Sequence, residues 1–219
     1  YIMTFMRTLF FSCVPLFMLI SGYLLSKKQL SKKYYKGIGK ILFVYVFAVV
    51  VCLLYNVIFL HKVTNFYDIL RSFLSITNPY KSWFVGATYA WYIEMYIGLF
   101  MLVPFLNLIY NGLKSKKQKG VLVATMIALT ALPSLVNGFA SFADPDLSIV
   151  PDFWVSLYPI TYYFIGCYIK EFQVNINKLI AAVVLFGVVL VETVSTIIYT
   201  QKFSDKLFYK DPFSAGYGG

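Results

Sequence analysis

Hydrophobic residues run along this 219-residue chain in long blocks, broken at intervals by short polar segments. Six blocks stand out, at 3–25, 41–60, 89–110, 120–143, 153–169 and 179–200. A bilayer core takes roughly 20 apolar residues in helical form. Irregular backbone and open strand edges find no hydrogen-bond partners there, so the pattern predicts six transmembrane helices. The second, fourth and fifth blocks carry no charge, the first carries only Arg7, the third only Glu94 and the sixth only Glu192. Pro104, Pro133 and Pro159 lie inside or near span ends, where neighbours or water can satisfy a freed carbonyl. No block alternates as the roughly ten-residue strands of a barrel would. The longest connection, 61–88, is mixed, and 66–76 would put Phe66, Ile69, Leu70 and Phe73 on one side of a short interfacial helix. The expected fold is all-α, a polytopic transmembrane helix bundle forming a single membrane domain over 1–219.

Composition strengthens this reading. Hydrophobic residues make up 60% of the chain and charged residues only 13%, against about 25% charged in a soluble domain. The net charge of +10 would suit a nucleic-acid surface, but the lysines sit in the connections between blocks. One set of connections holds Lys27, Lys28, Lys32, Lys33, Lys36, Lys40, Lys114, Lys116, Lys117, Lys119, Lys170 and Lys178. The alternate set holds only Lys62, Arg71, Lys81, Lys202, Lys206 and Lys210, together with Asp68, Asp144, Asp146, Asp152, Asp205 and Asp211. The positive-inside rule puts the first set in the cytoplasm, against anionic inner-leaflet lipid, and no nucleic-acid partner is expected. Both ends then lie outside. The chain starts at Tyr1 rather than at a methionine, so a further helix is expected upstream. The first block is too long for a signal peptide and has no cleavage site. The excess of lysine over arginine hints at an AT-rich bacterial genome.

Cys13, Cys52 and Cys167 fall singly in different blocks, without a metal spacing, and read as small packing residues. No metal is expected. Charges within the membrane are costly and turn toward the bundle interior or a watery cavity. In Trp91-Tyr92-Ile93-Glu94-Met95, helical spacing gives Trp91, Glu94 and Met95 one face. That is either an aromatic-edged acidic site or a snorkelling carboxylate in an interfacial belt. Arg7, early in the first block, either pairs with Glu94, meets an anionic ligand or snorkels. Glu192 has no assignable role. His61 is the sole histidine; it has no carboxylate or serine beside it and reads as an interfacial polar residue. Ser21 and Gly22 permit close helix packing. The lysine segment after them sets orientation and offers point charges to a phosphorylated ligand such as coenzyme A.

Several of these segments resemble the acyltransferase-3 family, multi-pass bacterial O-acyltransferases of cell-envelope sugars. Val14-Pro15-Leu16-Phe17-Met18-Leu19-Ile20-Ser21-Gly22-Tyr23-Leu24-Leu25 is similar to the family's "VPLFFxISGYLL" helix. The basic segment with Tyr34-Tyr35-Lys36 and Lys40-Ile41 resembles its cytoplasmic loop, which is usually richer in arginine. The run from Ala90 to Leu99, followed by Pro104-Phe105-Leu106-Asn107, resembles its "LWYLxxLIxLYLLxPLLN" helix. Tyr158-Pro159-Ile160-Thr161-Tyr162-Tyr163-Phe164-Ile165-Gly166 resembles its "YFxxG" helix. The four occur in order and cover most of the chain.

The resemblance implies a ten-helix-like bundle with six spans present here. It implies transfer of an acyl group, usually from acetyl-CoA, to a hydroxyl of an envelope glycan or glycolipid at a bacterial plasma membrane, without a tightly bound cofactor. The family's catalytic histidine, preceded by an arginine, belongs to a helix upstream of this chain, and His61 does not match it. Lys36 and Lys40 are then candidates for acyl-CoA phosphates. Trp91, Tyr92, Glu94 and Arg7 are candidates for the acceptor site. Ser21 and Gly22 are candidates for packing beside an acyl channel. The competing expectations are a transporter or flippase of envelope intermediates, and a membrane sensing or anchoring domain.

Overall fold

The computed structural model describes residues 2–60, 91–142, 144, 147–173 and 177–202, leaving aside the side chains of Ile2, Asn56, Leu60, Trp91 and Glu94. Every regular element among the described residues is helical: α1 (Ile2–Phe11), α2 (Cys13–Leu25), α3 (Lys32–Lys36), α4 (Ile38–Leu60), α5 (Trp91–Gly112), α6 (Lys116–Ser141), a 3-10 turn (Val155–Leu157), α7 (Tyr158–Phe172) and α8 (Lys178–Lys202). His61 and the expected interfacial helix at 66–76 lie outside the described residues. Five helical stretches are long and apolar enough to cross a bilayer: Met3–Leu25, Lys32–Phe59, Met95–Gly112, Lys116–Ser141 and Lys178–Lys202. The chain is a multi-pass membrane protein.

Two of the six predicted spans differ in detail. The first is split at Ser12 between α1 and α2. Pro15 has no amide hydrogen, so the carbonyl of Phe11 loses its helical partner. The fifth predicted span becomes a helix of 15 residues, about 22 Å long at 1.5 Å per residue and short of the roughly 30 Å hydrocarbon core. Its first residues are taken up by the 3-10 turn, Pro159 sits at its start, and Gln173 closes it in the left-handed region at φ 42°.

The helices group into two compact units, one of residues 1–26 and 110–219, the other of residues 27–109. In the first, α7 is the centre: α2 and α6 pack against it, and α1 lies along α8. Tyr163, Phe164, Gly166 and Cys167 of α7 are buried, as are Met18, Ser21 and Gly22 of α2. By contrast, α8 exposes Val183, Phe186 and Val191, an apolar surface suited to lipid. In the second unit, Tyr45, Val49 and Leu53 form a buried stripe along α4, and Leu99, Phe100, Val103, Leu106 and Asn107 are buried on α5.

Candidate functional site

The crossing of α2 and α7 is built on glycine. A Cβ at Gly22 would run into the backbone of Tyr163, and one at Gly166 into the carbonyl of Leu19. The two backbones therefore touch, as small residues permit between membrane helices. The buried Cys167 thiol reaches the Gly22 carbonyl at 3.4 Å. The Ser21 hydroxyl turns back to the Phe17 carbonyl at 2.8 Å, satisfying a group that would otherwise be orphaned in an apolar setting. Both small candidates thus lie in the tightest contact of this unit.

Elsewhere in the same unit, polar groups collect at the lysine-rich ends of α6 and α7. The Lys119 ammonium meets both carboxylate oxygens of Glu171, at 2.7 and 2.8 Å, and stands 4.7 Å from the centre of the Tyr110 ring. Lys119 is only 7% exposed. The sequence reading put it in a loop, but the Ser115–Gln118 capping box starts α6 early enough to take it into the first turn. Lys116 lies over Phe172 and Lys170 over Tyr23, at 5.1 and 5.6 Å. Arg7, on α1, is exposed with its guanidinium 5.8 Å from the Phe11 ring. Among the described residues no three His, Cys, Asp or Glu side chains gather as a metal site would require.

In the second unit the basic segment is held by tyrosines. Ser31 caps α3 by accepting a hydrogen bond from the Tyr34 amide at 3.1 Å. Buried Tyr34 stacks on Phe100, ring centres 4.4 Å apart and planes within 10°, and its hydroxyl donates to the Phe100 carbonyl at 2.6 Å. The Tyr35 hydroxyl donates to the Met101 carbonyl at 3.2 Å. The Asn107 amide donates to the Lys28 carbonyl at 2.7 Å. Lys36 and Lys40 are exposed. They stand four residues apart across the α3–α4 junction, where Gly37 keeps a helical backbone, so they share a face. Neither makes an ion pair among the described residues. At the start of α5, Tyr92 is exposed; the side chains of Trp91 and Glu94 are outside the described set, and Arg7 belongs to the other unit.

Tyr34, Tyr35, Lys119 and Glu171 escaped the sequence reading as site-forming residues. For Tyr34 a signal was present: Pro104, inside a span, announces an unclaimed carbonyl at Phe100. The basic segment and the proline helix that it grips are two of the four segments that resemble the acyltransferase-3 family. No curated protein and no solved structure matches the chain. A family model described as an acyltransferase domain, of the acyltransferase-3 type, matches residues 1–215. With nearly the whole chain covered and the helices of a multi-pass membrane protein in place, the chain belongs to the acyltransferase-3 family of membrane acyltransferases.

Proposed function

We propose that the protein moves an acyl group, acetyl in the simplest case, from acyl-CoA in the bacterial cytoplasm to a hydroxyl of a cell-envelope sugar or glycolipid. The observation that carries this reading is the pair Lys36 and Lys40. They are exposed ammonium groups on one face, carried by a segment tied to α5, with no carboxylate neutralising them among the described residues. Lysine binds phosphate as a compact point charge, and coenzyme A presents several phosphates. In the transfer step the acceptor oxygen attacks the thioester carbonyl. A carbon–oxygen bond forms, the carbon–sulfur bond breaks and coenzyme A leaves as the thiol. The hydroxyl proton passes to a general base, the role proposed for the family's upstream histidine, and from it to the departing sulfur. Trp91 and Tyr92 would stack on the sugar face and Glu94 would accept its hydroxyl hydrogen bonds. Ser21 and Gly22 would keep helices close beside the acyl path.

The test is transfer from labelled acetyl-CoA in membranes that contain the full-length protein. Replacing Lys36 and Lys40 together with glutamine removes two charge-assisted contacts of about 1–3 kcal/mol each. The KM for acetyl-CoA should then rise tenfold or more while the protein stays folded, and an unchanged KM overturns the assignment. Orientation has its own check. In single-cysteine variants, an impermeant thiol reagent added to intact cells should label position 146 and leave position 116 untouched. The reverse pattern would remove the cytoplasmic donor from the mechanism. Glu94→Gln should depress transfer more than it depresses thermal stability, whereas full transfer would reduce Glu94 to a snorkelling residue.

A further inference from the structure

Pro104 sits inside α5 and has no amide hydrogen, so the carbonyl four residues before it, that of Phe100, has no helical donor. An open carbonyl within a membrane span must find a partner elsewhere. Its partner here comes from 66 residues earlier in the chain, the hydroxyl of Tyr34 at 2.6 Å. The match is specific in three respects. The Tyr34 side chain is buried, so water does not compete for its hydroxyl. The ring lies flat on Phe100 itself, which fixes the approach. The neighbouring Tyr35 hydroxyl takes the next carbonyl, that of Met101.

The segment gripped in this way has only five helical residues. Five residues would not persist alone in water; α3 runs on through the helical backbone of Gly37 into α4, and on its other side it is held to α5 by the tyrosines. Lys36 is two residues beyond Tyr34 in the same turn.

We propose that Tyr34 is a positioning residue for acyl transfer: by closing the carbonyl that Pro104 leaves open, its hydroxyl fixes α3 on α5 and holds Lys36 where it meets the acyl donor. This rests on the reading of Lys36 as a donor contact. It adds that the proline and the tyrosine work as a pair, with the proline-bearing span supplying the vacancy and the basic segment filling it. Tyr34 touches no reacting atom and acts through the placement of α3.

The test uses full-length protein and two independent readouts. Tyr34→Phe keeps the ring stack and removes only the hydroxyl. Trypsin cleavage after Lys32, Lys33 and Lys36 in detergent should accelerate about tenfold, the effect of one buried hydrogen bond left unmade. The KM for acetyl-CoA should rise by a similar factor, with kcat changed less than about twofold. Pro104→Ala added to Tyr34→Phe returns an amide donor to the Phe100 carbonyl. It should restore thermal stability but not the KM, because α3 stays untied.

Unchanged cleavage in Tyr34→Phe overturns the proposal. Recovery of the KM by Pro104→Ala overturns it too, since the hydroxyl would then act on α5 itself and not on α3. Faster cleavage with an unchanged KM overturns the donor reading of Lys36, and the positioning role with it, while the tie between α3 and α5 stands. If Tyr34→Phe yields no folded protein, Tyr35→Phe, which loosens the same segment at its more exposed contact with Met101, replaces it in the cleavage and KM measurements, with the same outcomes there at smaller size.

Discussion

The two units hold their helices together by opposite means. In the first, α2 and α7 meet backbone against backbone at Gly22 and Gly166. Backbone approach dominates the contact, and nothing larger than hydrogen fits at either glycine without a shift. In the second, α3 is fastened to α5 by the hydroxyls of Tyr34 and Tyr35 on the carbonyls beside a proline. A glycine crossing is indifferent to chemistry and intolerant of volume, whereas a hydroxyl tie tolerates volume and fails when one donor is removed. The first suits a fixed frame. The second suits a segment whose exact placement matters, because each bond can be made or lost on its own.

The strongest way to break this contrast is at the crossing. Gly22→Ala or Gly166→Ala would drive a methyl group into a backbone carbonyl, which has no rotamer by which to yield. Overpacking costs about 1–3 kcal/mol and occasionally more, and a clash with backbone falls at the upper end. Thermal unfolding in detergent should show it for either variant, and wild-type melting for both would mean that the helices are not in contact as described.

A smaller effect is expected where the first unit does use charge. Glu171→Gln leaves the buried Lys119 ammonium without its counter-charge. The carboxylate is 41% exposed, so the loss should be about 1–2 kcal/mol, well below that of a fully buried pair. Replacing both residues, Lys119→Met with Glu171→Leu, should recover most of it, since an apolar pair of similar size can substitute for ions. If the double variant is the worse of the two, the pair has a role beyond stability.

The smallest effect concerns Thr130 and Thr161, whose hydroxyls meet at 3.0 Å between α6 and α7. Thr130→Val should cost only about 0.6 kcal/mol, the mean for hydrogen bonds between membrane helices. A loss as large as that at Gly22 would erase the distinction between frame and tie.

How much of this was legible in the sequence follows from the physics of each part. Hydrophobic runs report what must be kept from water, so the helices could be read directly, down to Ser21 and Gly22 as close-packing residues. Length was less legible: 153–169 is uncharged throughout, but a run of apolar letters does not distinguish helix from the 3-10 turn and proline start that shorten α7. Lysines could be counted but not placed. Lys119 read as one more loop cation, and only the fold shows it buried on Tyr110 and paired with Glu171. Tyr34 read as an aromatic in a basic loop, because the acceptor that gives it meaning lies 66 residues away. Pro104 did mark the vacancy, and what no local pattern could supply was which hydroxyl fills it.

The glycine crossing also bears on how the protein comes to exist. Gly22 and Cys167, joined in that contact, are 145 residues apart in the chain. Ribosomes add about 5–20 residues each second, so α2 enters the bilayer on the order of ten seconds before α7 has been made. Through that interval its small-residue face has no α7 to meet and lies against lipid or against whatever helix is already there. Docking of α2 is thus a late event in biogenesis, and a nascent chain that stops short of Tyr158 carries an unfinished seam.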